Sequence, residues 1–242
     1  MWRTTRYDLV LWAYPPRDPT TVLPGLIRLL DEVTGQQLKW HLAHQSDRPA
    51  PTSHAEWRAL AEEQRDPQLG ALDLFFDSPS GLELSLTVDA PSVVRDFDVL
   101  AVDFDPEHLA GPHALFSYES LEALFLKSIR LFRPFWARVA DKELTRTDVG
   151  RIYLSVDVTK VPATVHWFNF FDRGMVERLG GREKLLGAPA YRVTELDEPA
   201  GLLLILQREP FDHHHPEHRQ RLAAITDYLD LPQLQARYPK RR

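Results

Sequence analysis

Leu82-Glu83-Leu84-Ser85-Leu86-Thr87-Val88-Asp89 alternates apolar and polar residues without a break. A side-chain period of two places Leu82, Leu84, Leu86 and Val88 on one face and Glu83, Ser85, Thr87 and Asp89 on the other, the pattern of an antiparallel strand with one wet face. Pro79-Ser80-Gly81 supplies the turn before it, and Leu72 to Asp77 and Phe97 to Phe104 read as strands on either side in sequence. Further upstream, Tyr7-Asp8-Leu9-Val10-Leu11-Trp12-Ala13-Tyr14 is apolar on both alternating faces apart from Asp8, as expected of a buried central strand. Leu38 to Ala43 reads as a further strand.

Between and after these strands the period changes to that of helices. Leu23, Ile27 and Leu30 recur at helical spacing after Thr20 or Thr21 as cap and before Gly35 as stop. Ser53 stands three residues before Glu56, like a capping box for a short helix to about Gln64. The longest helical pattern runs over 117–140, with Leu121, Leu124, Phe125, Ile129, Phe132, Trp136 and Val139 along one wide apolar stripe. Pro134 is expected to kink this helix or start a second one, because it lacks an amide hydrogen. The last third reads as strands over 152–158 and 164–171, a short helix from Met175 to Leu179, strands over 191–196 and 202–207, and a closing helix from His218 to Leu229. The fold class expected is therefore α+β: a mixed, largely antiparallel sheet with helices packed on it. One domain over 1–236 is expected, with sub-lobes 1–112 and 113–236, followed by a basic tail over 237–242.

The 242 residues carry 29 Lys and Arg, 35 Asp and Glu, ten His and no Cys. Without cysteine there is no disulfide framework, thiolate zinc site or thiol nucleophile. Net charge is −6, but Arg237, Lys240, Arg241 and Arg242 crowd the last six residues, which leaves −10 on residues 1–236. Such a body is drawn to basic partners and repelled by phosphate backbones, so no nucleic acid is expected as ligand. The longest apolar run, Leu202 to Leu206, is far shorter than the roughly 20 residues of a membrane span. A cytoplasmic protein without a membrane segment is expected.

Motifs of catalysis are missing from the sequence. It contains no G-x-G-x-x-G, no G-x-x-x-x-G-K-[ST], no G-x-S-x-G and no H-E-x-x-H. No enzyme activity and no cofactor are expected. Two clusters remain. Asp212-His213-His214-His215-Pro216-Glu217-His218 places His215 and His218 three apart at a helix start, where with Asp212 they can offer three ligands to zinc. The alternative is a solvated turn with Pro216 as the first helical residue, and with no supporting motif that turn is preferred, without a metal. Asp96, Asp98, Asp103, Asp105 and Glu107 fall within twelve residues on and after one strand. Carboxylates at this density can hold magnesium, act as an acid–base pair, blunt a sheet edge or meet a basic protein. A nuclease would also require a nearby lysine and a basic groove, and neither is evident.

The order of features in the last third resembles that of a known group. His166-Trp167-Phe168-Asn169-Phe170-Phe171 is followed by Val176-Glu177-Arg178-Leu179-Gly180-Gly181 and then by Gly201-Leu202-Leu203-Leu204-Ile205-Leu206. Phe132-Arg133-Pro134-Phe135-Trp136-Ala137 precedes them, and a polar, proline-containing segment leads into the final helix. This order is similar to bacterial polymorphic-toxin immunity proteins, particularly the type VI immunity family and relatives paired with restriction-endonuclease-fold toxins. The resemblance spans about residues 117–232, and its motifs mark fold more than function. It implies a non-enzymatic antitoxin that binds a secreted toxin, of nuclease type, and blocks its active site. Asp96, Asp98, Asp103, Asp105 and Glu107 are the candidate contacts on charge grounds. Two other readings compete: a structural or regulatory module of a phage- or secretion-related system, and a metal-dependent hydrolase using the cluster of His213, His214, His215 and His218.

Overall fold

The computed structural model has an α+β fold and describes residues 6–43, 45, 48–89, 97–112, 114–145 and 156–239. Among them it contains nine strands, eight helices and one 3-10 turn. The chain divides into two compact units, Val10–Pro134 and Met1–Leu9 with Phe135–Arg242. Strand β1, Tyr7–Ala13, is buried at every position and gives its first residues to one unit and its last to the other.

In the unit Val10–Pro134 the strand order is β2-β3-β4-β5-β1, with β2 at His41–Leu42, β3 at Leu72–Asp77, β4 at Glu83–Val88 and β5 at Asp98–Phe104. The pairs β2–β3, β3–β4 and β4–β5 are antiparallel. Leu72, Leu74, Phe76, Leu84, Leu86, Val88, Leu100, Val102 and Phe104 are buried while the residues between them face outward, so the alternation read at Leu82–Asp89 holds on both flanking strands. The strand expected over Leu38–Ala43 shrinks to two residues, with Pro49 bridged to His41.

Helix α1, Pro19–Thr34, is capped by Asp18 rather than by a threonine: Asp18 accepts from the Thr20 amide, and both Thr20 and Thr21 hydroxyls donate to it. Helix α2, His54–Gln64, has the expected capping box of Ser53 and Glu56. Helix α3, Tyr118–Phe132, packs on α1, where a side chain at Gly25 would come within 2.9 Å of Leu131. The helical pattern over 117–140 therefore ends early. Arg133 turns left-handed at φ 49°, Pro134 blocks any continuation, and Trp136–Asp141 is strand β6. The division after Pro134 leaves α3 with the N-terminal elements, later in the chain than the expected sub-lobe boundary near 112.

In the other unit the order is β1-β6-β7-β9-β8, with β7 at Phe168–Asp172, β8 at Arg192–Asp197 and β9 at Ala200–Ile205. The pairs β6–β7, β7–β9 and β8–β9 are antiparallel. Trp167 anchors the entry to β7, its indole N–H donating to the Gln207 carbonyl at 2.9 Å. Short helices follow: α4 at Lys142–Leu144, α5 at Arg173–Arg178 and α6 at Arg182–Leu186. Gly180 and Gly181, at φ 108° and 90°, let the chain reverse between α5 and α6. Helix α7, Pro216–Leu229, starts at the expected proline and leads into α8, Leu231–Arg237. The basic tail begins as the last residue of α8, and Pro239 bridges Val156. Lys240, Arg241 and Arg242 lie outside the described residues, as do 152–155 of one expected strand.

Candidate functional site

The acidic candidates separate once the strand register is known. Asp98 opens β5 on its inner face and is only 1 % exposed. Its Oδ1 accepts from the Asp89 amide at 3.1 Å, and burial pushes its carboxyl above the usual carboxylate range, partly offset by that amide. A carboxylate in this position ties the start of β5 to the residue that follows β4 and offers no face to a partner. Asp96 lies outside the described residues.

Asp103 occupies the outer face. It stands directly across from Glu83, which stands directly across from Asp77. Three carboxylates thus form a row over β3, β4 and β5, which concentrates negative charge on the outer face. The next row inward is Phe75, Ser85 and Ala101, and the Phe75 ring is 50 % exposed. Together Phe75, Asp77, Glu83, Ser85 and Asp103 line a shallow depression of about 320 Å³.

A buried histidine brings the remaining acidic residues to this end of the sheet. His108 Nδ1 accepts from the Asp105 amide at 2.9 Å, and its Nε2–H donates to the Ser80 carbonyl at 2.7 Å. That pins the 3-10 turn Pro106–His108 to the β3–β4 turn, with Glu107 exposed and Asp105 half-buried. Asp77, Glu83 and Phe75 were not among the sequence candidates. Their outward position was legible from alternation, but the row depends on strand register, which spacing within one strand does not reveal.

The histidine segment divides in two. His215 and His218 do come together, with rings stacked at 4.4 Å, yet His218 is buried and its Nδ1 accepts from the Asp212 amide at 3.0 Å. Burial, followed by the charge of His215, lowers the His218 pKa, so its ring favours the neutral form. Asp212 belongs instead with Asp141 and His213, and His213 is shared with a second group, Glu143 and His214. In each group one ligand atom per residue lies within 4.8 Å of the others. Asp141 was not among the sequence candidates, because the segment just before it, 117–140, read as helix and its contact with His213 is distant in sequence.

A third polar cluster is interior. Arg138 on β6 is 4 % exposed and donates to Asp8 Oδ2 at 2.8 Å, Thr145 Oγ1 at 2.8 Å and His166 Nε2 at 3.0 Å. Burial, and then the Arg138 charge, hold the His166 pKa well below its ordinary value. The lone acid in an otherwise apolar β1 thereby finds its cation, and the cluster welds β1 to β6.

No protein-family model matches the chain, and no curated protein matches it in sequence. Among the described residues no helix is long and apolar enough to cross a membrane. In fold, 93 % of the chain aligns with 73 % of the chain of a Pseudomonas aeruginosa T6SS protein, PA0821, with a TM-score of 0.60 and 11 % sequence identity.

Proposed function

We propose that the chain is an immunity protein that binds a secreted bacterial toxin and blocks it without catalysis of its own. The observation carrying this reading is the row Asp77–Glu83–Asp103 beside exposed Phe75. A row of outward carboxylates presents a dense negative patch that a complementary basic surface can meet. Phe75 supplies the apolar anchor around which such a contact gains most of its energy. A nuclease toxin carries a positive groove for phosphates, and a body of net charge −10 is attracted to it over nanometre distances. The fold likeness to a T6SS protein is compatible with a role connected to type VI secretion.

The test is the affinity for the C-terminal domain of a toxin encoded beside this chain. Reversing Asp77 and Asp103 to lysine is expected to weaken binding at least ~10-fold, mostly through slower association, as loss of steering requires. Asp98→Asn is expected to leave affinity unchanged. Equal affinity of the charge-reversed protein would place the contact surface elsewhere.

A further inference from the structure

We propose that Glu143, His213 and His214 bind one first-row divalent cation, zinc by their donor chemistry, with Asp141 positioning His213. This site is separate from the acidic sheet face and does not depend on toxin binding.

Asp141 ends β6 and caps α4, its Oδ1 accepting from the Glu143 amide at 2.9 Å. Its Oδ2 accepts from the His213 backbone amide at 3.0 Å and sits 2.8 Å from His213 Nδ1. A carboxylate on one imidazole nitrogen fixes ring orientation and raises the basicity of the other, which is the usual outer-shell arrangement behind a metal-binding histidine. His213 therefore binds through Nε2. His214 is set by the turn, since its amide donates to Asp212 Oδ1 at 2.9 Å. Its Nε2 is 3.8 Å from Glu143 Oε2. That gap is too long for a hydrogen bond and close to the separation of about 3.3 Å that two ligands at about 2.0 Å keep around a tetrahedral ion.

Burial distinguishes this set from its neighbour. Asp141, Asp212 and His213 are all buried, and both carboxylates already accept backbone amides, so that set is closed to solvent and engaged in fixing the turn. Glu143 and His214 keep 29 % and 37 % of their side chains exposed, which opens the other set to solvent. Two imidazoles and one carboxylate suit zinc and its first-row neighbours, and they discriminate against magnesium and calcium, which take oxygen ligands. Three protein ligands leave a fourth position for water.

The experiment uses the full chain without a purification tag, titrated with zinc chloride by calorimetry and checked by elemental analysis after dialysis. One zinc per chain is expected. His214→Ala, at an exposed position, and Glu143→Gln, at a half-buried one, are each expected to weaken binding at least ~10-fold with unchanged circular dichroism. Absence of stoichiometric zinc would overturn the proposal. So would zinc binding that persists in both variants and is lost in His215→Ala, which would assign the ion to the neighbouring imidazole pair.

Discussion

At the scale of single residues, the interior of the β6 unit depends on Arg138. Its guanidinium serves Asp8, Thr145 and His166 at once, and removing it leaves an acid in a space with almost no solvent. Arg138→Met is expected to cost ~3–5 kcal/mol in urea denaturation, while Asp8→Leu combined with Arg138→Met recovers most of that loss. His166 adds a pH dependence whose sign follows from its depressed pKa. Above about pH 6.5 the ring is neutral in both folded and unfolded chains. Below it the unfolded chain takes up a proton that the folded chain refuses, so stability declines as pH falls. His218, lowered by its own burial, acts in the same direction. Asp98 and Asp172, raised by burial, act oppositely, from the ordinary carboxylate pKa upward. The urea midpoint is therefore expected to fall between about pH 7 and about pH 5, with a shallower slope in His166→Gln. A slope unchanged in that variant would contradict the assignment.

At the scale of elements, the glycine second in β9 has a steric reason. A Cβ at Gly201 would stand 2.3 Å from the Phe171 carbonyl oxygen and 2.7 Å from the Phe170 ring, so β7 and β9 could not keep their register. Gly201→Ala is expected to lower stability by ~1–3 kcal/mol as judged by thermal unfolding. The Trp167, Gly180-Gly181 and Gly201 features behind the sequence resemblance are accordingly packing and turn devices. Elements with one wet face, such as β3 and β4, were legible because their alternation records the boundary between core and solvent. Strand β6 was not. It is buried at every position and shows no alternation, and Trp136 and Val139 happen to continue the helical stripe of α3 past Pro134. Asp141, the last residue of β6, was not singled out, and the Asp141–His213 contact joins residues 72 apart in sequence, beyond what local spacing reveals.

At the scale of the whole molecule, net charge acquires an address. The sequence contained a body of −10 and an acidic stretch near residue 100. Folding withdraws Asp98 into the core and adds Asp77 and Glu83 to Asp103 on one outer face. Charge density on that face, more than the total, governs attraction to a basic partner. The most direct test is the equilibrium affinity for the C-terminal domain of the toxin proposed as partner, measured at about 50 and about 200 mM salt for the native chain and for Asp77→Lys with Asp103→Lys. The expected result is tight binding by the native chain that weakens with salt, and both weaker binding and a flatter salt response in the reversed protein. Binding that ignores both salt and charge reversal would contradict a toxin contact through the acidic sheet face.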